Sequence, residues 1–309
     1  MLALVIATIL VATALGVWGE RRFGERGPRL ARRMLTFTLY GLLPPTVFFN
    51  LATADIPTEV GLSILLYYVA LTATLVGAYL LCTRVLRVSR PATGAVLCCI
   101  MVPNSGYMGY PVTAALWGSD RLSEAVVWDI LVAAPWLLIG AFSVGAAFGT
   151  KAGETPKDRV RAFFTRNPPF YAAVLAFIVP DALVPDVLVD ISRVIVVMIL
   201  PIGFFALGSS LAEEAEEGAF AFPPKFDKLV AMGVAGRMLF PPLLLVLLTL
   251  PLIDLPETYL VLAGISTGVN PLVVSHVYGL DQRVTAGTIA WSTVVAIIGL
   301  SAFAIARAV

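Results

Sequence analysis

The twelve residues Met101–Val112 read MVPNSGYMGYPV, inside a stretch otherwise made of Ala, Val, Leu, Cys and Trp. Pro103, Gly106, Gly109 and Pro111 are residues that a helix interior disfavours, and Asn104 and Ser105 compete with its backbone hydrogen bonds. The surrounding chain is nonetheless apolar enough to lie in lipid. Of 309 residues, 59% are hydrophobic and 13% charged, against about 25% charged in an ordinary globular domain. Such a chain cannot cover its own surface with polar groups, so it reads as an all-α polytopic membrane protein. A net charge of +1 excludes an electrostatic nucleic-acid binder.

Crossing ~30 Å of hydrocarbon takes about 20 apolar residues per helix. Ten candidate spans follow, at roughly 2–18, 34–53, 59–86, 91–117, 121–149, 168–181, 186–212, 227–251, 256–279 and 283–306. The sixth is short and opens on Pro168–Pro169. The apolar start at Leu2 has no basic segment before it and no small-residue cleavage site after it, so it reads as a membrane helix that is kept. Cys82, Cys98 and Cys99 lie in or beside apolar spans without a CxxC pattern; they read as small core residues, and no metal site is expected.

Arginines and lysines orient the spans. Arg21, Arg22, Arg26, Arg29, Arg32 and Arg33 follow the first span, Arg84, Arg87 and Arg90 the third. Lys151, Lys157, Arg159, Arg161 and Arg166 follow the fifth, and Lys225, Lys228 and Arg283 fall on the same side. The other side has only Arg121, Arg193 and Arg307, against Asp55, Glu59, Asp120, Glu124, Asp181, Asp186, Asp254 and Glu257. The positive-inside rule places both termini outside a cell membrane. Glu213, Glu214, Glu216 and Glu217 form an acidic run on the inner side, read as a solvated face.

Five spans from an outside terminus leave the next five inverted, and the sequence carries traces of a repeat. LLPPTVFF (Leu42–Phe49) pairs with ILPIGFF (Ile199–Phe205), LWGSD (Leu116–Asp120) with VYGLD (Val277–Asp281), and Trp128–Asp129 with Trp291–Ser292. The expected domains are residues 1–149, a cytoplasmic linker loop at 150–167, and residues 168–309. Span nine carries its own interruption, Ser266-Thr267-Gly268-Val269-Asn270-Pro271, at a depth matching Pro103–Asn104. Matched breaks in the two halves of a transporter point to a midplane substrate site, where half-helix N-termini favour an anion.

At these residues the chain resembles the auxin efflux carrier family, the PIN-like transporters. Asn104-Ser105-Gly106-Tyr107-Met108-Gly109-Tyr110-Pro111 is similar to the family's N-x-G-F-x-G-x-P pattern. Ser266 to Asn270 followed by Tyr278–Gly279 resembles its span-nine segment; Arg237 to Pro241 and Asn167–Pro168 fit as well. The resemblance implies the fold of bile acid/sodium symporters, with spans four and nine crossing at unwound centres. It implies an elevator-type transport domain (spans three to five and eight to ten) moving against a scaffold (spans one, two, six and seven) that pairs into a homodimer. It implies small organic anions as substrates, auxin in plants and carboxylates such as malonate or malate in bacterial members. One departure stands out: the family has proline where this chain has Ser266, and here Pro271 follows the Asn, which points to a break one turn later.

The expected substrate-binding residues are Asn104, Ser105, Gly106, Tyr107, Ser266, Thr267 and Asn270, with Pro103, Gly268 and Pro271 setting the breaks. Three ionisable side chains lie within spans. Arg237 reads either as a contact for a substrate carboxylate or as a structural group bonded to Asp129 or to carbonyls freed at the crossover. Asp129 reads as a proton carrier or as the counter-ion of Arg237. His276, the one histidine, reads as a proton switch or as a hydrogen-bonded bundle residue. No cofactor is expected beyond a coupling proton; sodium coupling is the runner-up, with Asp129 a thin acidic inventory for a sodium cage. A channel or receptor is the alternative of another class. HExxH, GxGD and Ser–His arrangements are absent, so an enzyme is not expected.

Overall fold

Lipid offers backbone groups no hydrogen-bond partner, so an apolar chain satisfies them within helices. The computed structural model describes residues 2–23, 26–53, 61–118, 121–153, 155–180, 183–216, 225–250 and 252–308, and they are almost wholly helical. In chain order the α-helices are α1 (Leu2–Phe23), α2 (Arg26–Phe37), α3 (Leu43–Ala52), α4 (Gly61–Leu80), α5 (Arg90–Met101), α6 (Tyr110–Trp117), α7 (Leu122–Trp128) and α8 (Phe142–Phe148). Then come α9 (Pro156–Thr165), α10 (Pro168–Ala176), α11 (Asp186–Glu216), α12 (Lys228–Met238), α13 (Phe240–Thr249), α14 (Glu257–Ala263), α15 (Asn270–Tyr278) and α16 (Gln282–Ala308). Wider π-helical turns at Thr38–Leu42, Leu81–Val85, Ser105–Gly109, Asp129–Ala133 and Trp136–Ala141 join several of them.

Among the described residues five stretches are long and apolar enough to cross a membrane: Arg29–Ala52, Gly61–Val85, Ser123–Phe148, Lys228–Thr249 and Gln282–Leu300. The ten spans read from sequence are thus not all continuous helices of membrane length. Spans four and nine are split, each into two short helices, because Pro103 and the Ser266–Gly268 segment stop the backbone ladder midway. Span eight is divided at Leu239 between α12 and α13, where Pro241 and Pro242 supply no N–H to the preceding turn.

Two segments expected as loops contain helix. The arginine-rich stretch after the first span continues α1 through Arg22 and then forms α2, with Ala31 and Leu35 buried and Arg32 and Arg33 exposed. The 150–167 linker contains α9. Thr155 caps it by accepting from the Asp158 amide while the Asp158 carboxylate accepts from the Thr155 amide, and Pro156 fits the first turn. Asp55, Glu59, Asp120, Asp181 and Glu217 lie outside the described residues, as do the side chains of Arg193, Glu213, Glu214, Glu216 and Arg307.

The helices pack in two groups. α1 lies along α11, α2 and α3 also pack on α11, and α10 packs on α3. In the other group α12 packs on α5 and α16, α4 on α13, and α5 on α8 and α16. Contacts of α11 with α15 and α16, and of α2 with α15, join the groups. The α1–α11 seam is close because of glycine: a Cβ at Gly16 would sit 2.1 Å from the Phe205 carbonyl oxygen, and one at Gly208 2.1 Å from that of Thr13. In the second group Trp128 is sandwiched between Tyr67 and Tyr259, with ring centroids 4.5 and 5.2 Å away.

Candidate functional site

The two helix breaks meet. Past Met101 the chain becomes extended at Val102 and pairs, as a single antiparallel bridge between Pro103 and Thr267, with the break in span nine. The Asn104 amide donates to the Ser266 carbonyl at 2.8 Å and the Gly268 amide to the Val102 carbonyl at 2.9 Å. The Thr267 amide donates to Ser292 Oγ at 3.1 Å, and its hydroxyl to the Cys99 carbonyl at 3.1 Å. Groups that would each cost several kcal/mol in hydrocarbon therefore satisfy one another. Gly268 is required by approach rather than by torsion, since a Cβ there would lie 2.9 Å from the Pro103 carbonyl oxygen. The break in span nine falls between Ala263 and Asn270, not a turn later. Pro271 sits in the first turn of α15, where its missing N–H costs nothing.

At this crossover two helices end and two begin. The carbonyl ends of α5 and α14 carry the negative poles, and Arg237 occupies that side. It is fully buried and donates from Nη1 to the Ile100 carbonyl at 2.9 Å and from Nε to the Ile265 carbonyl at 3.2 Å. From Nη2 it reaches the Ala263 carbonyl and, at 2.9 Å, the Tyr67 hydroxyl. No ion pair joins Arg237 to Asp129. Of the readings left open by sequence, bonding to carbonyls freed at the crossover is the one the geometry displays.

The amino ends lie opposite. The turn Ser105–Gly109 leads into α6, and α15 starts at Asn270. Asn104 precedes the first of these starts, 2% exposed, and neither its Nδ2 nor its Oδ1 has a hydrogen-bond partner. Asn270 Oδ1 is also buried without a partner. Such orphaned amides are rare in folded proteins, because each costs about 1–3 kcal/mol. Ser105 donates to Asp129 Oδ1, and the Tyr110 hydroxyl donates to Asp129 Oδ2 at 3.2 Å. A Cβ built on Gly106 would stand in ordinary contact with that carboxylate, 3.9 Å from Oδ2, so Asp129 lies directly beside this half-helix start. Gly109 by contrast is packed against Leu262 of α14.

The other expected residues fall as follows. Ser266 and Thr267 are buried in the bridge, and the Ser266 hydroxyl lies 3.6 Å from Met108 Sδ. Tyr107 belongs to the Ser105–Gly109 turn, and its side chain lies outside the described residues. His276 stands apart, near the carboxyl end of α15, with Nδ1 buried and unpartnered and its carbonyl accepting from Lys151 Nζ at 3.0 Å. Sequence reasoning overlooked Tyr67, Ser292 and Glu20. Glu20 is 3% exposed between α1 and α11 and accepts from Ser209 Oγ at 2.9 Å, so Asp129 is not the sole buried acid. It falls just past the first span read from sequence, 2–18, and beside Arg21 and Arg22, where nothing in the local pattern signals burial.

The crossover thus joins two helix breaks through paired backbones, with Arg237 on the carbonyl side and buried, unbonded amide atoms of Asn104 and Asn270 on the amino side. A family model described as membrane transport protein matches residues 3–304. The chain belongs to this family, the auxin efflux carrier family. Its curated relatives include an uncharacterized transporter of Methanocaldococcus jannaschii, 23% identical over 178 residues, which is 56% of each chain. Another is an uncharacterized transporter of Methanothermobacter thermautotrophicus, 28% identical over 179 residues, 56% of this chain and 55% of the relative. The matched region thus spans about half the length of these curated relatives. As a member of the auxin efflux carrier family, the chain carries this crossover among apolar helices, five stretches of which, among the described residues, are long enough to cross a membrane.

Proposed function

We propose that the protein is a secondary carrier of small organic anions, carboxylates foremost, that holds its substrate at the crossover and works by alternating access. The observation that carries this reading is the Asn104 amide, buried and unbonded at the start of a half-helix. The Asn104 Nδ2 and the first-turn N–H groups are donors at one helix start, and the helix dipole favours negative charge there. The half-helix that starts at Asn270 adds a second positive pole to the cradle. A carboxylate suits it because two oxygens accept from two directions.

The packing supports an elevator arrangement, with α1, α2, α3, α10 and α11 as a scaffold and the helices around the crossover as the moving body. It also supports two inverted halves: α1 rests on α11, and α10 on α3, so the first span of each half lies on the second span of the other. In this proposal both termini face outward from the cell membrane, and scaffolds pair into a homodimer. The test is counterflow in proteoliposomes: an unlabelled acid inside, the same labelled mono- or dicarboxylate outside. The wild type is expected to exchange at least one acid saturably. Asn104→Ala is expected to lose at least tenfold of that exchange with an unchanged unfolding midpoint. Normal exchange by Asn104→Ala would remove the crossover from consideration as the site.

A further inference from the structure

Resting on that carrier reading, we propose that Asp129 takes up one proton with each anion carried, and that the Ser105 hydroxyl makes the two events depend on each other. A serine hydroxyl has one hydrogen to give. Here it is given to Asp129, at the first residue of the half-helix that begins beside Asn104. Beside Gly106, in the space where the anion is proposed to sit, the Asp129 carboxylate stands 3.9 Å from the place of a built Cβ. With Asp129 ionised, an anion entering that space meets a like charge at close range and finds the Ser105 donor already engaged. Protonation removes both obstacles. The carboxylic acid carries no charge and no longer demands two donors, so Ser105 turns its hydrogen to the anion.

The remaining groups around Asp129 leave it free to play this part. Its turn, Asp129–Ala133, packs on α4, α7 and the turns Ser105–Gly109 and Trp136–Ala141. α4 has no charged residue on it. Its Tyr67 hydroxyl receives from Arg237, and its Tyr68 hydroxyl donates to the Leu131 carbonyl at 2.7 Å. On α7 the charged side chain is Glu124, engaged by Thr258 and Arg121. The Trp136–Ala141 turn contains no ionisable residue. From the crossover side come Ser105 and Tyr110, both neutral hydroxyls. Asp129 therefore has hydroxyl partners and no ion pair among the described residues, the arrangement of a carboxylate that changes charge rather than one that holds it.

The step balances without any further reactant. A proton from the loading side converts the carboxylate to the acid, the anion binds, and both leave on the other side as the carboxylate reforms. By reciprocity, a proton that raises anion affinity is itself held more tightly when the anion is bound.

The test uses labelled malonate and the whole protein in proteoliposomes. Malonate is a dianion at neutral pH, so one proton per malonate leaves one net negative charge to move; with the membrane potential clamped at zero by potassium and valinomycin, wild-type accumulation is expected to rise by about tenfold for each unit of pH gradient, alkaline inside. A pH dye in the lumen is expected to report acidification that starts with malonate entry. Asp129→Asn, which mimics the neutral form but cannot release a proton, is expected to lose both responses and to bind malonate at least as tightly as the wild type at alkaline pH. Ser105→Ala is expected to reduce the pH dependence of malonate affinity several-fold. Wild-type net malonate uptake that ignores the gradient and moves no protons would overturn the coupling and, with counterflow intact, leave the carrier standing. A gradient response preserved in Asp129→Asn would overturn it as well. Absence of counterflow for every acid in the panel would remove the carrier reading itself. Should Asp129→Asn fold poorly, the wild-type dye measurement decides alone.

Discussion

Arg237 is the residue whose role the sequence left most open and whose geometry is most definite. A buried guanidinium normally needs an acid, because its desolvation is expensive. Here three carbonyls and one phenol hydroxyl take that place, contributed by the ends of two helices and by α4. Their dipoles supply the negative charge in distributed form. Replacing Arg237 with Met is expected to cost at least about 3 kcal/mol, since each orphaned carbonyl loses a partner worth about 1–3 kcal/mol. Arg237→Lys is expected to recover little, because one ammonium cannot span both helix ends as the planar fork does. Thermal unfolding in detergent reads both; a wild-type midpoint in Arg237→Met would show that the clamp is not needed. Sequence made Arg237 visible as a costly charge in an apolar span but could not name its partners. Backbone carbonyls have no letter of their own, and which ones are free depends on where another helix breaks. Asn104 was legible for the opposite reason: an amide beside Pro103 in lipid is an anomaly that the local residues already announce.

At the scale of the element, the crossover is a join between two interruptions that fail separately. Each break strands amides and carbonyls, and the Asn104–Ser266 and Gly268–Val102 hydrogen bonds satisfy them only when the two segments touch. Gly268 sets how close they come. Gly268→Ala puts a methyl 2.9 Å from the Pro103 carbonyl oxygen, a backbone atom that moves only with the bridge. It is expected to cost about 1–3 kcal/mol by overpacking and to reduce counterflow by at least tenfold. Gly77→Ala, mid-helix in α4 with nothing within 4 Å of the new methyl, is the control. It is expected to be neutral or to stabilise by up to about 1 kcal/mol. Equal effects of the two would mean that the close approach at Gly268 is unimportant. Pattern reasoning found both breaks but set the second a turn late, because it weighed Pro271 as a breaker. In the first turn of α15 proline is instead a starter. It likewise read residues 26–33 of α2, and α9, as loop, since charge density masked the apolar residues, Ala31 or Ala162, that these segments bury.

At the scale of the whole molecule, the question is whether the two packing groups move against each other. The seam between them passes the crossover, where Gly203 of α11 faces Val269 at the end of the span-nine break. A Cβ at Gly203 would stand 2.5 Å from Val269 Cγ2, a side-chain tip able to yield in one position but not throughout a slide. The α1–α11 seam within the scaffold differs, because there a Cβ at Gly208 meets the Thr13 backbone. If α11 is a fixed rail, Gly203→Val roughens the moving surface, whereas Gly208→Ala pries apart two helices that never part. Gly203→Val is therefore expected to slow counterflow by at least tenfold at a stability cost within about 1–3 kcal/mol, with labelled malonate still bound. Gly208→Ala is expected to lower the unfolding midpoint more, and to lose transport only in proportion to the protein unfolded. Because both changes add apolar bulk at glycines of the same helix, about 7.5 Å apart along it at 1.5 Å per residue, composition cannot separate them. Only relative motion of the two groups does, and a rigid channel would show the two variants impaired through stability alone.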